Sequence, residues 1–196
     1  MTGQPSTEPD LAYRAAIEAE WADDDAYFRH APGSPLLPED RSAFTGIPHF
    51  PVDERWRLRG LRLEPYTGTA PADFGMEATV GEPRPSTRAG EFRFMQDGAA
   101  HRLIAYRFYM DGELDEQLFV PFMDATTGRE TYPAGRYLDA VQDADGTWTL
   151  DFNRCYHPSC AYNPRYSCPI TPAENRLPIR VEAGARLPED HDGSRH

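Results

Sequence analysis

The residues of this chain best suited to chemistry lie between positions 151 and 176. Cys155, His157, Cys160 and Cys168 fall in the order C-x-H-x2-C-x7-C. Thiolate sulfur and imidazole nitrogen both bind zinc, so zinc is the first metal such a set would hold, with ferrous iron or copper behind it. The spacing is not that of a ribbon or finger, however, and Pro158 and Pro169 restrict the turns that would gather the ligands. No metal is favoured and no cofactor is expected; the four residues stand as zinc candidates only. A plainer reading has partly buried thiols in contact, with Cys160 and Cys168 able to form a reversible disulfide. The other chemical option is a thiolate nucleophile, which needs a base and an orienting group. His157, His101, Asp151 and Asn153 are available for those roles. Cys160, Cys168 and Asp151 are therefore the catalytic candidates. No nucleophile elbow or papain-type motif specifies such a role, and whether the chain is an enzyme stays open. Asp139 paired with Asp151 could do acid–base work, but acidic residues are too abundant for that pairing to be specific.

A second polar segment occupies residues 118–139. An apolar run enters an Asp124-Ala-Thr126-Thr127-Gly128 turn, and the chain returns through Gly135 into Arg136-Tyr-Leu-Asp139. In a functional reading Arg136 offers a planar fork to a carboxylate or phosphate, and neighbouring hydroxyls orient the ligand. The ligand-binding candidates are then Asp124, Thr126, Tyr132 and Arg136, with Asn153, Asn175 and Arg176 from the C-terminal segment. In a structural reading Asp124 and Thr126 cap a turn, and Arg136 pairs with Asp124 or Asp151. On residue types alone the structural reading is the stronger.

Composition removes several function classes. The chain carries 32 acidic against 20 basic side chains, a net charge of -12, and such a surface repels phosphate backbones and anionic lipid. Nucleic acid and membrane are not expected partners; a small molecule is. There is no Lys, which excludes Schiff-base chemistry and a P-loop lysine. No dinucleotide or Walker motif is present. No apolar run reaches the ~20 residues of a membrane span, and the polar, acidic start lacks a signal-peptide pattern. The protein is read as cytoplasmic, with its three cysteines reduced. Oligomeric state leaves no mark in the sequence.

These segments must be positioned by one domain, expected over residues 9–187 between disordered tails at 1–8 and 188–196. Tyr13, Ile17, Trp21 and Phe28 recur at helical spacing, so a helix is predicted over roughly 10–29, with Thr7 as its cap and Glu8, Pro9 and Asp10 in its first turn. A proline-punctuated loop follows, and His49 within it is read as a simple loop residue. Alternation begins near residue 56 and predicts strands at 56–63, 75–80, 91–96, 101–110, 116–122, 136–141, 147–152 and 177–182. Gln96-Asp97-Gly98, Asp111-Gly112 and Asp145-Gly146 supply hairpin turns. The fold class is mainly β (α+β): an antiparallel meander of about eight strands curled into a barrel or sandwich, with one N-terminal helix.

The strings LFVPFMDATTGRETYPAGRYLD and DFNRCYHPSCAYNPRYSCPITPAENRLPIRVEAG resemble the bacterial and archaeal domain-of-unknown-function family 1684. The resemblance extends from the N-terminal helix to Gly184. It rests on Asp124, Gly128, Tyr132, Gly135, Arg136 and Asp139 in the first string, and on Asp151, Asn153, Tyr156, Pro158, Cys160, Cys168, Pro169, Asn175 and Arg176 in the second. It implies a shared architecture and a shared site, but no activity. Cys155 and His157 replace small or amide residues of the family pattern, so a four-ligand metal site is not a family feature. The ending 182–186 also lacks an expected Glu-Lys pair.

The leading expectation is a small-molecule-binding barrel. Phe92, Phe94, Tyr106, Phe108, Phe119 and Phe122 would line its pocket, and the two polar segments would meet at its mouth. A thiol-dependent enzyme or a redox or zinc protein acting through Cys160 and Cys168 is the alternative. A structural or protein-interaction module ranks third.

Overall fold

The structure is a computed structural model, in which residues 10–188 are described. The expected tails at 1–8 and 188–196 therefore lie, but for Pro188, outside the described residues, as does the Thr7 cap. Helix α1 spans Leu11–His30, and Asp10 caps it by accepting the Tyr13 amide at 3.0 Å. The helix starts one residue after the predicted position 10, and Asp10 itself is the cap, not a first-turn residue. Tyr13 and Ile17 are its buried residues. The Tyr13 hydroxyl donates to both oxygens of Asp151, and the Trp21 indole donates to the Asn153 carbonyl. These bonds dock α1 on the far end of the chain.

The strands are β1 (Arg57–Leu61), β2 (Leu63–Glu64), β3 (Asp73–Met76), β4 (Arg84–Gln96), β5 (Ala99–Met110), β6 (Glu113–Leu114), β7 (Leu118–Phe119), β8 (Asp139–Gln142) and β9 (Trp148–Asp151). All named pairs are antiparallel, in the order β1-β9-β8-β7-β5-β4-β2, with β3 beside β4 and β6 beside β5. Only Arg62 separates β1 from β2, so the two ends of this path are one stretch of chain, and the seven strands make a nearly closed barrel.

The β4–β5 hairpin is the spine. Asp97 and Gly98 have φ of 50° and 77°, both positive, which a two-residue primed turn requires and which matches the twist of the flanking strands. Along β4, Phe92 and Phe94 point inward while Arg93 and Met95 point out, the period of two seen in the sequence. The barrel interior is solid. Phe92, Phe94 and Phe122 pack with Trp56, Leu118, Leu150 and Phe152 in the main core; Tyr106 and Phe119 join Met76 and Tyr137 in a second cluster. The expected aromatic-lined ligand pocket inside the barrel is thus corrected: Phe92, Phe94 and Phe122 fill the interior with other large side chains, Tyr106 belongs to the second cluster, and Phe108 and Phe119 border a hollow outside the barrel.

Residues 177–182, predicted as a strand, form no named strand. Two features account for this. Pro178 removes one ladder donor, and the polar groups of this strap bond loop backbone and side chains instead, as described below.

Candidate functional site

The two polar segments do meet, but most of their polar residues hold the fold together. Asp124 accepts hydrogen bonds from the Thr126 hydroxyl at 2.8 Å, from Thr127 and from the Val181 amide at 2.6 Å. Arg136 is 1% exposed. Its guanidinium donates to the carbonyls of Val181, Ala183 and Ala185 and lies 3.4 Å from Asp124. Arg136 therefore faces the C-terminal strap and not a hollow, which is the structural reading of the sequence. Thr126 is fully buried. Asn175 donates to the Ile104 and Pro121 carbonyls and accepts the Ile104 amide, so one side-chain amide completes the backbone of two elements. Asn153 clamps Asp53 in the same manner. Asp151 accepts from Tyr13, Asn153 and Arg154, and Asp139 accepts from Tyr156 at 3.1 Å. Arg176 is exposed and bonds Met123 Sδ.

Cys155 belongs to this framework too. It is 2% exposed, faces the Ala183 carbonyl at 3.4 Å, and burial pushes its thiol up to about 11. His157 accepts the Tyr132 amide at 3.4 Å. Among the described residues, no three His, Cys, Asp or Glu side chains converge as a metal-ligand set.

Cys160 and Cys168 are different. Cys160 lies in a single 3-10 turn, Ser159–Ala161, and is half-exposed. Cys168 is buried, and its sulfur accepts the Cys160 amide at 3.2 Å. Its loop is pinned to the chain beyond β3: Thr79 N bonds Cys168 O at 2.8 Å, Cys168 N bonds Thr79 Oγ1 at 3.0 Å, and Ile170 N bonds Glu77 O at 2.7 Å. Tyr137 Oη closes it from below through the Pro169 carbonyl. The Tyr132 hydroxyl donates to the Cys160 sulfur at 3.8 Å, while the Thr79 hydroxyl donates to the Tyr166 carbonyl at 3.1 Å. The neighbouring Cys168 thiol and the Tyr132 hydroxyl lower the Cys160 pKa, against an opposing contribution from burial, whereas Cys160 and burial raise that of Cys168. Both shifts favour ionisation at the partly exposed Cys160 over the buried Cys168. Position 79 was missed in the sequence because nothing local marks a hydroxyl 89 residues away as the partner of the Cys168 amide.

Cys168 forms part of the wall of a hollow of about 430 Å³ on the outside of the barrel. Phe108, Phe119 and Tyr137 form its apolar side, and Arg84, Asp139 and Tyr156 supply polar groups. Burial raises the Asp139 pKa, with the Tyr156 and Gln117 hydrogen bonds opposing it and Asp115 adding to it. A second hollow of about 510 Å³ lies between α1 and residues 154–162; Tyr156 and Ser159 border both. Among the described residues no helix is long and apolar enough to cross a membrane.

A comparison with curated proteins gives no match. Among solved structures, the solution NMR structure of an uncharacterized protein from Haloarcula marismortui is similar, with 30% identity and a TM-score of 0.65 over 92% of this chain and 97% of that one. Residues 42–186 match the family described as protein of unknown function, DUF1684. The chain belongs to that family.

Proposed function

We propose that this protein binds a small molecule in the hollow beside Cys168 and works by thiol–disulfide exchange at Cys160 and Cys168. The observation that carries this reading is the pairing of the two cysteines: Cys168 Sγ accepts the Cys160 amide at 3.2 Å, and the partly exposed Cys160 sulfur accepts the Tyr132 hydroxyl at 3.8 Å. A low-pKa, accessible thiolate is the attacking species in such exchange, and a neighbouring thiol resolves the product.

The Cys160 thiolate attacks one sulfur of an external disulfide; the Cys160–S bond forms, the external S–S bond breaks, and one thiolate leaves. Cys168 gives up its proton, which neutralises that thiolate, and its sulfur then attacks Cys160. The second external thiolate departs and takes a proton from solvent. The protein dithiol is oxidised to a disulfide while the external disulfide is reduced to two thiols. Asp139 and Tyr156 would contact the bound molecule and not the sulfurs.

Exposure to 2-hydroxyethyl disulfide followed by mass spectrometry tests the reading. The wild type should lose two hydrogens and yield a peptide cross-linked between Cys160 and Cys168. The Cys168→Ala variant should stop at a mixed disulfide on Cys160. Reaction at Cys160 no faster than that of a free cysteine, or a wild type that forms no cross-link, would overturn it.

A further inference from the structure

The second hollow has a chemistry of its own. Its wall is aromatic: Trp21 stacks on His49 with ring centroids 4.1 Å apart and planes 8° apart, and Phe28 meets Tyr162 edge-on at 4.8 Å. Three carboxylates, Glu20, Asp23 and Asp24, border the same space. The cations there are few. Arg154 is engaged by both oxygens of Glu20 at 2.7 Å and by Asp151, and His49 is held neutral by burial, its pKa pushed down to about 4. His157 also borders the hollow, engaged with Tyr132. Asp25 is turned to the Ile47 amide at 2.8 Å. Asp23 and Asp24 thus bring two negative charges to a ring-lined space of about 510 Å³, a volume within the range of small-molecule sites. Aromatic faces attract a cation through the ring quadrupole, and nearby carboxylates add to that attraction. A neutral apolar guest would use the rings but gain nothing from the carboxylates, and an anion would be repelled.

We propose that the hollow between α1 and residues 154–162 binds a small organic cation carrying an ammonium group. The rings of Trp21, Phe28 and Tyr162 enclose the charge, and Asp23 and Asp24 balance it at the rim. This site is separate from the thiol pair and does not depend on the exchange reaction.

The test is an NMR titration of the full chain with choline chloride and, in parallel, with dimethylbutanol, its uncharged carbon isostere. Choline should shift the Trp21 indole and Tyr162 amide signals, saturably and more weakly as salt rises, while the isostere leaves them in place. The Asp23→Asn, Asp24→Asn double variant changes exposed side chains and should weaken choline binding roughly tenfold, whereas Cys168→Ala should leave it unchanged. Equal response to choline and the isostere, full affinity in the double variant, or no shift with choline at tens of millimolar would each overturn the proposal. The wild-type comparison decides the matter even if a variant fails to fold.

Discussion

Asp124 and Arg136 grip the same residue of the C-terminal strap: the Asp124 carboxylate accepts the Val181 amide proton at 2.6 Å, and Arg136 Nη2 donates to the Val181 carbonyl at 2.7 Å. A charged pair this deeply buried is tolerable because backbone groups take up most of its hydrogen bonds, Arg136 Nε being left without one. The strap in turn covers Cys155 and the 3-10 turn Phe152–Arg154, so the pair supports the whole base of the C-terminal segment.

Replacing Arg136 by Met should leave a buried carboxylate and three carbonyls without their partner. We expect a loss of about 3–5 kcal/mol, read as a lower urea midpoint at an unchanged m-value.

Gly184 offers a sharper contrast. Its φ is +71°, and an added Cβ would lie 2.5 Å from Cys155 Sγ and 2.6 Å from the Phe152 carbonyl; Gly128 has a φ of +79° with nothing within 4 Å. Gly128→Ala should cost about 1 kcal/mol for its backbone alone. Gly184→Ala should cost at least twice that, because the strap must also move. Equal thermal shifts for the two variants would show that the strap yields freely.

The Cys160 thiol should alkylate with iodoacetamide faster than Cys155, with a rate profile titrating below the ordinary thiol value of about 8.5. Cys168→Ala removes the neighbouring thiol and should move that profile to higher pH; Tyr132→Phe should do the same to a smaller extent. An unmoved profile in Cys168→Ala would mean that the sulfur contact does not govern the thiolate.

His49 makes stability depend on pH. Its folded-state pKa, about 4, lies below the ordinary 6.5, chiefly through burial, while Asp25 and the Ile47 backbone oppose the shift. The folded state therefore binds fewer protons than the unfolded chain between those values. The contribution is present above pH 6.5 and is lost as pH falls toward 4. His49→Phe, which keeps a ring against Trp21, should flatten the stability curve in that window by at most about 1.4 kcal/mol per pH unit. A parallel curve would show that His49 is protonated in the folded protein.

Much of this fold is written in local patterns. Alternation in 91–96 and 101–110 and the Asp97-Gly98 turn mark the hairpin that became β4 and β5, and the spacing of Tyr13 and Ile17 marks the buried face of α1. Residues joined over long distances were not legible. Arg136 has the composition of a ligand fork, and only three carbonyls some forty-five residues away reveal it as a structural tie. Asn175 likewise looks like a polar loop residue until the Ile104 backbone is placed against it. His49 was read as a loop residue because its stacking on Trp21 joins segments whose sequences share no pattern. Sequence patterns report what a residue does with its near neighbours; here the strap, the thiol contacts and the ring-lined hollow are all made between distant ones.

The seam between β1 and β2 has a kinetic consequence. Arg57 pairs with Asp151 while Leu63 pairs with Phe92, so one eight-residue stretch must zip to an early and a late part of the chain. The Leu63–Phe92 pairing is available as soon as the central hairpin forms, but the Arg57–Asp151 pairing waits for the last strand. Closure of the circle is therefore the step with the greatest loop entropy. A ribosome-bound chain ending before residue 148 would hold an open sheet with an unsatisfied margin.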